Sequence, residues 1–232
     1  VKVVNGDLEF EPCSKEDDEK LWRALEKVKE IWGDADVPIE SMPIYDARNV
    51  WIVPYGFDKW FKMFNPRQLL TLVKLVKLIR EAGKKVEEEK LREGSSGEEA
   101  FEYAEAVATY LAIASCKFAD FNSLSTRWNP GWLKFEETLS TRGIAMMWSW
   151  TDCGYLASFT GTFSRSLENI VNSLSYLTFA TSNSSTNVRI YLDDATILSS
   201  LNDEKFDLIV TDPPYRDDVP YVELSDFYYV WL

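Results

Sequence analysis

Histidine is absent from the 232 residues. That removes imidazole as a general base, any Ser-His-Asp triad and any zinc site built with histidine. Cysteine is almost as scarce. Cys13, Cys116 and Cys153 are odd in number and far apart, so they supply neither a disulfide framework nor the four thiolates of a structural zinc site. No apolar run reaches the roughly 18 residues that span a bilayer. The opening stretch VKVVNGDLEFEPC lacks the layout of a signal peptide, and the expectation is a cytoplasmic protein. Basic residues are outnumbered 25 to 38, for a net charge of −13. Nucleic-acid binders draw much of their affinity from neutralising phosphates. This chain has the wrong balance to do so alone; another segment, a partner or a local basic patch would have to compensate. Any chemistry must use carboxylates, hydroxyls, backbone groups or a bound cofactor.

What is present is a large apolar fraction, 46%, with nine Trp, enough for a sizeable core. Residues 14–32 read as an amphipathic helix, with Leu21, Trp22, Leu25, Val28, Ile31 and Trp32 on one stripe and Ser14 as N-cap. Asn65 as cap, Pro66 at the first helical position and Gly83 at the end predict a second helix over 65–82. Lys84–Glu98 reads as a helix extension plus an exposed linker. Residues 98–121, rich in Ala, predict a third helix, and 163–179 a fourth. A firm turn is expected at Trp128-Asn129-Pro130-Gly131.

Near residue 187 the period changes. VRIYLDDA reads as a strand ending in acids, TILSSL as a short helix, and FDLIVTDPPY as a strand running into a loop. That order suggests part of a parallel sheet, and ligands of such sheets sit beyond the carboxyl ends of the strands. Asp193, Asp194, Asp212, Pro213, Pro214 and Tyr215 all fall at such ends. Two prolines fix φ and remove two N–H donors. The Asp212 carboxylate and a neighbouring carbonyl then offer two acceptors to the hydrogens of an amino group, and Tyr215 offers a flat face for a planar ring. A nucleobase lifted from its stack would be read this way. The acceptors would aim the amine's lone pair at an electrophilic methyl, with the proton lost after attack, so that positioning supplies much of the rate.

The run VRIYLDDATILSSLNDEKFDLIVTDPPY resembles the middle of an S-adenosylmethionine-dependent amino-methyltransferase. By that resemblance Asp212, Pro213, Pro214 and Tyr215 form the catalytic loop. Asp194, or secondarily Asp193, would lie near the cofactor's adenine amino group. YGFDKWFKMFNPRQLLTLVKLVKLIREAG, FADFNSLSTRWNP and DPPYRDDVPYVELSDFYYVWL together resemble a prokaryotic, often archaeal, family of adenine-specific DNA methylases with a domain of unknown function and a zinc ribbon. The implied fold is α/β: a helix-rich segment packed on a partial Rossmann-like methyltransferase sheet. The implied organisation is a helical segment with an exposed linker over 1–97, a helical insertion for substrate recognition over 98–186, and a partial methyltransferase core over 187–232. The implied activity is methyl transfer to adenine N6 of DNA. Cytosine N4, an RNA base or a protein glutamine presents the same NH2 group.

The chain departs from that family in its ten glycines, none of which forms a D-P-F-x-G-x-G-like cofactor loop, and in lacking the zinc-ribbon cysteines. CGYLASFTG at 153–161 has the wrong spacing. The expectation is therefore a fragment of a longer protein or one half of a split enzyme, with its cofactor-binding segment elsewhere. A reading of a different kind is a non-catalytic specificity or interaction module. Other residues carry plainer alternatives. Arg216, Asp217, Asp218 and Glu223 either line a pocket or sit in a solvated loop. Asn65, Arg67 and Gln68 either bind an anion or cap a helix. Arg127 and Trp128 either touch nucleic acid or are a surface Arg beside a packed Trp. Tyr221, Phe227, Tyr228, Tyr229 and Trp231, at nearly helical spacing, suit core packing.

Overall fold

The computed structural model describes residues 2–4, 7–43, 50–140, 143–154, 159–183, 188–201, 204–213 and 219–232. Helices dominate. Strands β1 (Lys2–Val4) and β2 (Asp7–Glu9) pair antiparallel with Val3 opposite Leu8. Then come α1 (Lys15–Glu30), α2 (Pro66–Arg92) and α3 (Gly97–Asp120). A second hairpin joins β3 (Arg127–Asn129) to β4 (Lys134–Glu136), with Trp128 opposite Phe135. The chain continues through α4 (Phe163–Thr181) to α5 (Tyr221–Tyr229).

Local chemistry explains the helix starts. Ser14, Asn65 and Ser96 each accept from the backbone two or three residues on, and Asp17, Gln68 and Glu99 return the bond to the cap's own N–H. Each is a reciprocal capping box that satisfies otherwise orphaned donors. The helix α2 does not stop at Gly83 but takes the extension expected after Lys84, as far as Arg92. α2 runs on to Arg92 because Gly83 faces α3, where an added Cβ would lie 3.6 Å from the Ala108 Cβ. The glycine serves close helix packing there. Gly94, at φ +97°, terminates the helix instead: its N–H bonds Leu91 O at 3.1 Å, and Ser95 N–H bonds Lys90 O at 3.1 Å. That is a Schellman closure. The four-residue link to α3 makes α2 and α3 a helical hairpin.

The core lies where α1, α2 and the end of α3 meet residues 37–43 and 50–64. Leu69, Leu72, Val73 and Val76 of α2 pack on Val28 of α1, Phe118 of α3, and Met42, Ile52, Trp60 and Met63. α5 closes this core from the far end of the chain. Phe227 is fully buried and stacks on Phe64 at 6.0 Å, and Trp231 meets Phe64 edge-on at 5.1 Å. The helical spacing of the terminal aromatics thus reflects core packing at Phe227 and Trp231, while Tyr221 and Tyr229 stay exposed. The stripe expected on α1 is only partly buried: Val28 is inside, but Trp22 and Trp32 face solvent and Ala24 is buried in their stead.

The partial Rossmann-like sheet of the α/β expectation is not found. Among the described residues the strands form only two short antiparallel hairpins. Residues 188–193 and 204–213 carry no strand pairing, and TILSSL contributes a single 3-10 turn at Ser199–Leu201. The physical reason lies in the same apolar pattern that suggested strands. A strand apolar on both faces needs pairing neighbours and a cover on each side. Neither is within reach here, and Ile190, Leu208 and Val210 remain 92%, 78% and 84% exposed. Among the described residues, no helix is long and apolar enough to cross a membrane.

Candidate functional site

Asp193 and Asp194 lie together at a tight turn. Asp194 accepts from Thr196 N–H at 2.8 Å and from the Thr196 hydroxyl at 2.6 Å. Asp193 accepts from the Ser200 N–H and from the Ser199 hydroxyl at 3.0 Å. The Ser200 N–H is the main reason that Asp193 is held below the usual carboxylate range, as the Thr196 hydroxyl is for Asp194. Asp193 is half-buried and bonds its own turn through both oxygens, whereas Asp194 is exposed and takes both of its bonds on Oδ1.

Asp212 and Pro213 are exposed as well; Pro214 and Tyr215, with Arg216, Asp217 and Asp218, lie outside the described residues. Among the described residues no hydrogen bond reaches Asp212 or joins it to the acid pair. Asp193 and Asp194, which the resemblance assigns to the cofactor, are tied to their own turn, with Asp194 Oδ2 left without a bond among the described residues. The downstream side of the loop is anchored: Val219 and Pro220 are half-buried and lead directly into α5, whose Phe227 sits in the core.

A polar hollow lies elsewhere, at the start of α2. It is a cleft of about 230 Å³ lined by Arg67, Gln68 and Thr71 of α2, Phe118 and Asn122 at the end of α3, and Asp152, Cys153 and Gly154. The turn after α3 builds it. Asn122 donates to Phe118 O at 3.0 Å and accepts from Cys153 N–H at 2.8 Å. Thr126 Oγ1 accepts from Thr151 N–H at 3.0 Å. These buried side chains fasten residues 151–153 against the helix start. Arg67 Nη2 then pairs with Asp152 Oδ2 at 2.7 Å, and Asn65 Nδ2 reaches the same oxygen at 3.2 Å. Arg67 Nε is buried with no partner. Gln68, nearly fully buried, accepts from Asn65 N–H at 2.9 Å and donates to Thr151 O over a long 3.4 Å. Burial pushes the Cys153 thiol up to about 12, so it stays protonated and is no nucleophile.

Beside the cleft, Asp120 is buried, and burial pushes its carboxyl above the ordinary range despite Lys117 and the Leu139 N–H. Arg127 pairs with Glu136 across the β3–β4 hairpin, and Trp128 meets Phe135 edge-on at 5.5 Å. That is the plainer of the two roles expected of this pair. No group of metal-ligating side chains occurs among the described residues.

Of the residues flagged in sequence, the structure brings Asn65, Arg67 and Gln68 together with Asp152, and leaves the acid pair and Asp212 unlinked. Asn122 and Asp152 were not flagged. They stand far apart in the chain in no local pattern, and only the fold joins them. Comparison of the chain with protein-family models, with curated proteins and with solved structures finds no match, so function is argued from the residues.

Proposed function

We propose that this chain supplies the amine-holding loop of an S-adenosylmethionine-dependent methyltransferase acting on an exocyclic amino group, with adenine N6 of DNA as the first substrate. The observation that carries the reading is Asp-Pro-Pro-Tyr one residue after FDLIV, with its Asp212 and Pro213 presented to solvent instead of packed into the core. Among the described residues, which run to Pro213 and resume at Val219, no hydrogen bond is made to Asp212. In the proposed role it accepts one hydrogen of the substrate amine, while the adjoining carbonyl accepts the other. Tyr215 would carry the ring of the base.

The cofactor is assigned to polypeptide outside this chain, because no glycine-rich loop is present in the sequence. That segment, or a partner chain, would also bring the positive charge that a chain of net charge −13 needs near DNA. A cytoplasmic site of action goes with this reading. Calorimetry with S-adenosylmethionine is expected to show no binding by this chain alone and binding once the cofactor segment is added. With that complete enzyme, radiolabelled methyl transfer to DNA, tRNA and protein identifies the substrate. Asp212→Ala should lower the rate at least about a hundredfold, the scale of lost positioning. Unchanged transfer by that variant would end the proposal.

A second reading, a specificity or interaction module without catalysis, is favoured by the bare apolar residues of 188–192 and 206–210. An exposed apolar tract of this size marks a surface that meets something. It predicts binding to a partner with no transfer in any assay.

A further inference from the structure

We propose that the cleft at the start of α2 receives a single unstacked nucleobase bearing an exocyclic amine, adenine or cytosine, bound by Arg67, Gln68 and Asp152 against Phe118. This goes beyond the function proposed above: the cleft shares no residue with the Asp212 loop, and it rests on that function only in taking nucleic acid as the source of the base.

Size, charge and hydrogen-bonding capacity each bear on the choice. About 230 Å³ is the room of roughly eight waters at ~30 Å³ each. It is ample for one planar ring system and below the usual range for larger ligands. The Arg67–Asp152 pair makes the mouth electrically neutral, which disfavours a free anion and suits a neutral polar ring. Two donors remain unspent. Arg67 Nε–H is buried and unpartnered. Gln68 Nε2 carries two hydrogens and makes one contact, at 3.4 Å; its orientation is set by the bond from Asn65 N–H to its oxygen. An acceptor also remains, since Arg67 and Asn65 both take Asp152 Oδ2 and leave Oδ1 without a bond among the described residues. Phe118 adds an apolar wall that is itself buried.

Donors beside an acceptor match a base edge with a ring nitrogen or carbonyl next to an NH2 group. Buried donors left unmade are costly, so a ligand that completes them gains more than its area alone suggests. Uracil also has a donor, N3–H, but sets it between two carbonyls, so it does not offer two adjacent acceptors beside its donor as cytosine does.

The test is a nuclear magnetic resonance titration of the 15N-labelled chain with adenosine, cytidine and uridine. The Gln68 side-chain amide and Arg67 Nε–H resonances are followed. Saturable shifts of both are expected with adenosine or cytidine, and binding of uridine should be at least ~tenfold weaker. Arg67→Lys keeps a cation for Asp152 but removes the Nε–H fork. It should weaken nucleoside binding about tenfold without lowering the melting temperature. Because the wild-type titration needs no variant, a misfolded mutant does not blunt the test. The proposal is overturned if neither resonance moves with any nucleoside, if uridine binds as well as cytidine, or if acetate produces the same shifts. The methyl-transfer assay on Asp212→Ala and this titration fail independently, so either outcome identifies which proposal has fallen.

Discussion

Residues 50–76 and residues 188–213 are similarly rich in Val, Ile, Leu and Phe, yet they behave oppositely. In the first, Val50, Ile52, Trp60, Met63, Leu69 and Leu72 are buried. In the second, Val188, Ile190, Leu192, Leu208, Ile209 and Val210 all face solvent. Apolar content alone therefore does not place a segment inside. The first region contains helix α2, which satisfies its own backbone and needs only one covered face. The second would have to be strands, which borrow their backbone bonds from neighbours, and the described residues provide none.

The strongest way to break this comparison is at the anchored end of the chain. Phe227→Ala, at a side chain with no exposed surface between Trp60 and Phe64, should cost about 3–5 kcal/mol by denaturant unfolding. A loss under ~1 kcal/mol would mean that α5 is not part of the core. Next comes Gly161→Ala. Gly161 has φ +93°, and an added Cβ would lie 2.6 Å from the Phe121 ring. Strain and overlap together should cost roughly 1–3 kcal/mol, read as a lower melting temperature.

A pH series sharpens the core further. Burial raises the folded-state pKa of Asp120 above the ordinary carboxyl range. The folded protein therefore holds this proton more tightly than the unfolded chain does. Stability should fall as pH rises from about the unfolded value through the folded one. Asp120→Asn should remove that part of the slope, leaving the variant relatively more stable at neutral pH than at pH ~3. Equal slopes for the two proteins would sink the assignment. The smallest effect belongs to the bare region. Leu192→Ser should change stability by less than ~0.5 kcal/mol and reduce self-association in light scattering. A large destabilisation there would show that residues 188–213 are covered after all.

Much of the helical architecture was legible from local chemistry. Ser14, Asn65 and Pro66 announce the starts of α1 and α2, and each is observed as a cap or first-turn residue. The period of the terminal aromatics foretold that Phe227 packs inside. Gly83 looks like a stop signal, and only the neighbouring Ala108 shows that it is a packing glycine. The sheet expected around VRIYL and FDLIV failed for a related reason. β-propensity measures fit to a paired, half-covered surface, and a sequence does not say whether that surface is present. In the candidate site, Arg67 and Gln68 could be flagged at a helix start. Their partners Asn122 and Asp152 could not, since nothing near them in sequence points to α2.

Sequence alone determined what obeys short-range rules: the capped helix starts, the lack of imidazole chemistry, and two prolines that fix φ immediately after Asp212. Tertiary structure alone decided which apolar residues have neighbours, that α5 closes the core, and that a neutral Arg67–Asp152 pair fronts a polar cleft. The division follows from range. A cap is made within three residues of itself, whereas strand pairing and a binding cleft need groups that the chain must first bring together.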